Sequence, residues 1–284
     1  MTRDSRITLA VPTRDRPDLV ARFLVPGLID VTARGFAAVV VDQTAGDETR
    51  ALVEPIEGVR YLRSPPPLSR GRNVAVEAAA TPLLAFTDDD VAFDGGWLER
   101  VAETFTAPET GAVCGRARTP EGELLPGRPA GTYRWPANPF GLGSGFNVAF
   151  RLAALAVAGP FDEELGAGAR FRSAEDSDML YRILRAGWTV VCSDDLDVVH
   201  HDQRSGGGLV RLHHGYGLGA GAQTAKHVLS GDRTAGRIAL AQALRHFGWA
   251  ARSLATFRPG AARLQLVYVR GLLRGFRERR AQRA

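Results

Sequence analysis

Three consecutive carboxylates, Asp88, Asp89 and Asp90, follow the apolar run in the stretch LLAFTDDDVAF. Adjacent carboxylates repel one another, so a cluster at a strand end needs a compensating charge or solvent. Oxygen-only clusters suit hard divalent cations, Mg2+ or Mn2+, and Mg2+ is commonly held by one or two carboxylates together with substrate phosphates. The pattern therefore points to a metal bridging the protein to a nucleoside diphosphate, against the plainer reading of a solvated acidic turn. Other residues could join this chemistry. Asp42 ends the run FAAVVVD and could accept from a base N–H or a ribose hydroxyl. Arg72, in SRGRNVA, could pair with phosphate or simply cap a helix. Glu175 and Asp176 open SAEDSDMLYRILRAGW, where a carboxylate either favours the helix N-terminus or acts as a general base. His200 is either a metal ligand or a satisfied strand-end histidine.

Such residues need a scaffold that gathers them. RITLAVPT, FAAVVVDQT, GVRYLRS and PLLAFTDDD read as strands, and DRPDLVARFLVPGLIDV and LSRGRNVAVEAAAT read as helices between them. Alternation of this kind predicts a parallel α/β sheet, whose ligands collect at the carboxyl ends of the strands. Thr13, Asp42 and Asp88–Asp90 all fall at such ends. The Gly- and Pro-rich stretch 117–143 reads as a long surface loop. SGFNVAFRLAALAVAG returns to a strand and a helix, SAEDSDMLYRILRAGW makes an amphipathic helix, and TVVCSDDLDVVHHD makes two short strands ending in His200 and His201.

The charge is split along the chain. Residues 1–202 carry 21 basic and 29 acidic groups, whereas 203–284 carry 15 and 2, a balance of −8 against +13. Lys226 is the only lysine. QRSGGGLVR reads as a flexible joint into two amphipathic, arginine-rich helices. LAQALRHFGWAARSL puts Leu240, Leu244, Phe247, Ala251 and Leu254 on one face, and LVYVRGLLRGFRERRAQR does the same with Val269, Leu272, Leu273 and Phe276. These helices either lie on an anionic membrane surface or pack their apolar faces onto the rest of the chain. No aromatic-interleaved basic groove marks a nucleic-acid partner. No run of 18 apolar residues demands a membrane span. MTRDSRITLAVPTRDRP has no apolar signal region, and Cys114 and Cys192 read as two buried, reduced thiols, as in a cytoplasmic protein.

The ordered set VPTRDRP, VVVDQT, RGRN, FTDDDV, GSGFNVAFR, GPFDEELGAG, EDSDMLYRILRAGW and VVHHD resembles the inverting family 2 glycosyltransferases over residues 6–202. The resemblance implies a glycosyltransferase type A fold, with a Rossmann-like nucleotide-binding sheet at 1–202 and a basic helical extension at 203–284. It implies transfer of a hexosyl or deoxyhexosyl group, with inversion, from a nucleotide-sugar donor to a carbohydrate or lipid-linked acceptor, in cell-envelope glycan or glycolipid synthesis. It places Thr13, Asp42, Arg72, Asp88, Asp89 and Asn147 on the nucleotide-sugar, with Phe146 beside Asn147 in the cleft. It makes Asp90 a direct ligand of Mg2+ or Mn2+, Asp88 a ribose or metal contact, and His200, or else His201, a further ligand. Asp176 matches the catalytic base and Glu175 its neighbour. The setting read from the sequence is cytoplasmic, and peripheral on the inner face of the membrane if the basic helices lie on it rather than pack on the domain. Two departures bear on the donor: Arg14 replaces an aromatic that can stack on the base, and Gln43 stands where a second acid follows Asp42.

Three other readings compete. A non-catalytic relative that binds sugar-nucleotide or carbohydrate would turn Asp176 or Asp90 away from the cleft. A nucleotidyltransferase calls for a glycine-rich phosphate loop after the first strand, and PTRDRPD has no glycine. A membrane-surface scaffold leaves the acidic constellation without a purpose.

Overall fold

The computed structural model describes residues 6–201 and 207–282. Contacts divide the chain into two units, Met1–Phe161 with Asp176–Asp202, and Asp162–Glu175 with Gln203–Ala284.

The first unit is built on β1 (Ile7–Thr13), whose seven residues are all buried. The chain leaves it through α1 (Pro17–Leu19), a π-helical turn (Val20–Leu24) and α2 (Val25–Ala33). Pro17 sits at the helix start, where its missing N–H costs nothing. The valine run then forms β2 (Ala37–Asp42). There follow α3 (Glu48–Val53), β3 (Val59–Arg63), α4 (Leu68–Ala78) and β4 (Leu83–Phe86). Next come β5 (Val91–Ala92), α5 (Trp97–Thr104), β6 (Thr110–Cys114), β7 (Ala117–Arg118) and β8 (Gly131–Tyr133). β9 (Val148–Arg151), α6 (Leu152–Ala158), α7 (Glu175–Arg185), β10 (Thr189–Cys192) and β11 (Val198–His200) complete this part of the chain.

The main sheet runs β3-β2-β1-β4-β9-β6-β10-β8. Its first four strands are parallel, as the alternating pattern predicts. It is not parallel throughout, because β9 inserts antiparallel between β4 and β6, and β8 pairs antiparallel with β10. The 117–143 stretch is therefore not a plain loop. It contributes β7 and β8, and its Leu142 is buried. A second sheet, β5-β11-β7, joins the segment after the acidic run to the one that ends in His200. Cys114 and Cys192 are buried free thiols paired in register on β6 and β10.

The second unit holds three helices of 23 residues each, α8 (Gly207–Leu229), α9 (Arg233–Ala255) and α10 (Pro259–Ala281). Two basic helices are expected from the sequence, and α8 is an addition. The expected joint falls partly on 202–206, outside the described residues. From Gly207 onward the chain is helical despite its glycines, and packing explains why. A Cβ on Gly217 would lie 2.0 Å from the Tyr268 carbonyl oxygen, and one on Gly221 2.0 Å from that of Leu272. From the other side, Gly275 would clash with the Leu218 carbonyl at 1.9 Å. Glycines four apart thus let α8 and α10 touch backbone to backbone. Gly221→Val is expected to cost about 3 kcal/mol through overpacking, read as a lower thermal midpoint. Gly248→Ala, in open space, should leave the midpoint unchanged or raise it. The 162–175 segment joins the helices through Asp162, which meets Lys226 at 3.0 Å and Arg279 at 2.9 Å. Among the described residues no helix is long and apolar enough to cross a membrane.

Candidate active site

Parallel pairing sets Thr13 beside Asp42 in register, at the carboxyl ends of β1 and β2. Beyond β4 the chain turns through Asp88, Asp89 and Asp90 before entering β5. Thr13 Oγ1 donates to Asp89 Oδ2 at 2.6 Å, which locks the acidic turn onto β1. The Arg16 guanidinium bridges the cluster, with Nη1 3.1 Å from Asp89 Oδ1 and 2.9 Å from Asp90 Oδ2.

Charge and burial pull these acids apart. Enclosure by the protein pushes the Asp88 carboxyl up to about 6; Arg72 opposes the rise, while Asp90 and Asp89 add to it. Burial also raises Asp89, against the hydrogen bond from Thr13 and the charge of Arg16. Burial would lift Asp90 too, but His200 and Arg16 outweigh it and hold this carboxyl below its ordinary value.

The small sheet places the two histidines differently. β11 pairs antiparallel with β5, setting His200 opposite Val91, and the His201 N–H donates to the Asp90 carbonyl at 2.9 Å. His200 Nε2 thereby comes within 3.3 Å of Asp90 Oδ1, with its ring stacked on Phe146 at 4.2 Å. The His201 ring instead stacks on Phe23 at 4.0 Å.

Asp90 Oδ1 is buried and makes no close hydrogen bond among the described residues, with His200 Nε2 3.3 Å away. His200 Nε2 and Asp90 Oδ1 are donor types that suit a small divalent cation. Among the described residues, no group of three or more His, Cys, Asp or Glu is already drawn together as a ligand shell.

Arg72 is buried on α4, with its guanidinium 5.6 Å from the Phe86 ring and 5.7 Å from Phe161. Gly145 makes room for it, since a Cβ there would lie 2.2 Å from Nη2. Asp42 is buried and already engaged: Oδ1 accepts from the Thr44 N–H and Oδ2 from the Tyr61 hydroxyl, both at 2.8 Å. Gln43 donates to the Pro65 and Pro67 carbonyls at 2.7 and 2.8 Å, so it braces the turn before α4.

Asn147 is placed differently from the expectation of a sugar contact. It is buried, and its amide donates at 2.7 Å to the carbonyls of both Arg116 and Leu196. A side chain fixed between two backbone oxygens is a brace, and Phe146 beside it faces His200.

At the start of α7, Asp176 Oδ1 accepts from the Ser177 N–H at 2.6 Å and from its hydroxyl at 3.2 Å. Glu175 is buried. Asp178 is fully buried and pairs with Arg182 at 2.9 Å, and Arg182 also donates to the Ala158 and Gly159 carbonyls. Of the acids in EDSD, Asp178 is thus committed to holding α7 against α6. Sequence reasoning missed Arg16, Tyr61, Gly145 and Asp178. For Arg16 the only signal is a basic residue just past one strand end, in a sheet whose neighbouring strand ends in acids.

The family 2 glycosyl transferase model matches residues 8–154. The match takes in the acid turn, Asp42, Arg72 and Asn147, and stops before Asp176 and His200. The chain belongs to glycosyl transferase family 2. The succinoglycan biosynthesis protein ExoM of Rhizobium meliloti is 32% identical over 127 residues, 42% of this chain and 41% of that protein. A pre-mycofactocin glycosyltransferase of Mycobacterium tuberculosis is 26% identical over 216 residues, 70% of this chain and 43% of that protein. The chain thus spans about two fifths of the length of these curated relatives. A mannosyltransferase from Pyrobaculum calidifontis, solved with GDP-Man and Mn2+, superposes with a TM-score of 0.67 at 17% identity, covering 96% of this chain and 87% of that one. S. aureus TarS 1–349 gives 0.56 at 16% identity, over 94% and 92%. The fold is that of the type A glycosyltransferases, followed by helices.

Proposed function

We propose that this chain transfers a hexosyl or deoxyhexosyl group, with inversion, from a nucleoside-diphosphate sugar to an acceptor hydroxyl. The observation that carries the reading is the acid turn after β4, beside the ends of β1 and β2, with the buried Asp90 Oδ1 3.3 Å from His200 Nε2. Asp90 and His200, with Asp88, would hold Mg2+ or Mn2+. When bound, such an ion neutralises charge on the departing diphosphate.

The rest falls to the chain's own groups. Asp42 and Thr13 border the nucleoside pocket, with Asp89 held in place by Thr13. Arg72, fixed on two aromatic rings, offers a preorganised positive charge to the diphosphate. Asp176, with Glu175 as its neighbour, takes the proton of the acceptor hydroxyl as that oxygen attacks the anomeric carbon from the face opposite the nucleotide. Arg16 holds the carboxylates together until the metal and donor arrive. The acceptor is a carbohydrate or lipid-linked hydroxyl, and the setting is the inner face of a membrane. ExoM is named for succinoglycan biosynthesis, which fits a glycan as the product.

Calorimetric titration with UDP, GDP and dTDP, each with and without Mn2+, tests the reading. One nucleotide should bind, at least ~10-fold tighter with the metal present. If none binds under any condition, the donor site as described is wrong.

A further inference from the structure

We infer that the outward face of α9, with the turn that follows it, docks on an anionic lipid bilayer. The inference deepens the membrane setting proposed above and does not depend on the transfer chemistry.

α9 is turned inside out relative to a helix of a soluble core. Its inward positions are Ala235, Ala239, Gln242, His246 and Ala250, all buried. Two of these are polar, and His246 is held at 2.6 Å by Gln265 and stacked on Tyr268 at 3.8 Å. Its larger apolar side chains point the other way. Leu240 and Leu244 are each 62% exposed, Phe247 49% and Leu254 57%. Their spacing of four, three and seven residues puts them on one stripe. Phe257, in the turn to α10, is 93% exposed and sits at φ 55, a left-handed conformation that a bulky residue rarely adopts. Nothing in the helical unit's own packing needs these groups outside.

The charges around the stripe name the occupant. From Arg233 to Arg277 the chain has nine arginines and no acidic residue. Arg237, Arg252 and Arg258 are exposed along or beside the apolar stripe. On α10, the exposed Leu266 and Leu273 lie among the exposed Arg263, Arg270, Arg274 and Arg277. A second copy meeting this face with its own would press two strongly net-cationic surfaces together, since Glu278, paired with Arg274, offsets only one of these arginines. A nucleic acid would answer the arginines but leave the leucines in water. A bilayer carrying anionic headgroups over hydrocarbon satisfies both, and a helix lying in the interface does so without spanning it.

The test is cosedimentation of the full chain with large vesicles of phosphatidylcholine, alone or with about 30 mol% phosphatidylglycerol. The wild type should partition at least ~10-fold more strongly onto the anionic vesicles. The triple variant Leu240→Gln/Leu244→Gln/Phe257→Ser should lose at least ~10-fold of that binding. Its circular dichroism and nucleotide affinity should be unchanged, because all three side chains are exposed. Arg237→Gln/Arg252→Gln/Arg258→Gln should lose a similar factor. The inference is overturned if the wild type ignores anionic vesicles, or if the apolar variant binds them as well as the wild type does. It is also overturned if light scattering shows a vesicle-independent oligomer that the apolar variant dissolves, since the face is then a contact between copies. Vesicle binding that persists where no nucleotide binds would remove the transferase reading and leave this one standing.

Discussion

Asp176→Asn is expected to lower kcat by about 10^3-fold, within the range of a lost general base, while nucleotide affinity stays within about twofold. The asparagine keeps the shape and the Oδ1 acceptor that takes the Ser177 N–H and hydroxyl. What disappears is the negative charge and the ability to take a proton. A loss in kcat with KM for the donor unchanged marks a group that acts only in the transition state. The neighbouring acid supplies the contrast. Asp178→Asn removes the charge of a fully buried acid from its pair with the largely buried Arg182 and should cost about 3 kcal/mol of stability, so its damage appears in the thermal midpoint rather than in the turnover of folded protein. Single-turnover rates and melting curves on both variants separate the two roles. Equal turnover in Asp176→Asn and wild type would remove Asp176 from the mechanism.

The difference between those two acids is what a sequence cannot display. EDSD offers three carboxylates in four positions, and the helix period does not say which is committed to Arg182. Legibility followed local pattern. The valine run of β2 and the apolar run of β4 are continuous because both faces of the strands are buried, and such runs read as central strands without help from the rest of the chain. The acid turn was legible for the same reason, since charge directly after a buried strand must sit at the sheet's edge. α8 was not legible, because glycine lowers helix propensity and its reason for being there, the carbonyls of Tyr268 and Leu272 on another helix, lies about 50 residues away. β8 was hidden in a Gly/Pro-rich segment because an edge strand of three residues has too short a pattern to detect. His200 and His201 differ only in strand alternation, and the alternation has a phase only once β11 is paired with β5. Asn147 read as a sugar contact by its place in a motif, whereas its amide is held by two backbone carbonyls from elsewhere in the chain.

Substitutions at Asp90 and Arg16 should move metal affinity in opposite directions. Asp90→Ala removes the carboxylate that faces His200, and Mn2+-dependent nucleotide binding should weaken by about 100-fold. Arg16→Met removes the cation that now bridges Asp89 and Asp90. A cation in that position competes with any ion for the same oxygens. A charge pair at 4 Å is worth roughly 4 kcal/mol at an effective dielectric of about 20. The Arg16 side chain is 41% exposed, however, and water screens much of that attraction. The expected release is therefore nearer a factor of ten, about 1.4 kcal/mol, with Mn2+ binding tighter in the absence of nucleotide. The signal of free aqueous Mn2+ in electron paramagnetic resonance reads this directly, with no turnover required. Should Arg16→Met bind Mn2+ no better than wild type, the guanidinium is not holding the metal's place. If nucleotide affinity then falls with Mn2+ present, Arg16 is instead a contact to the donor, and the acid turn is held mainly by Thr13 and His200.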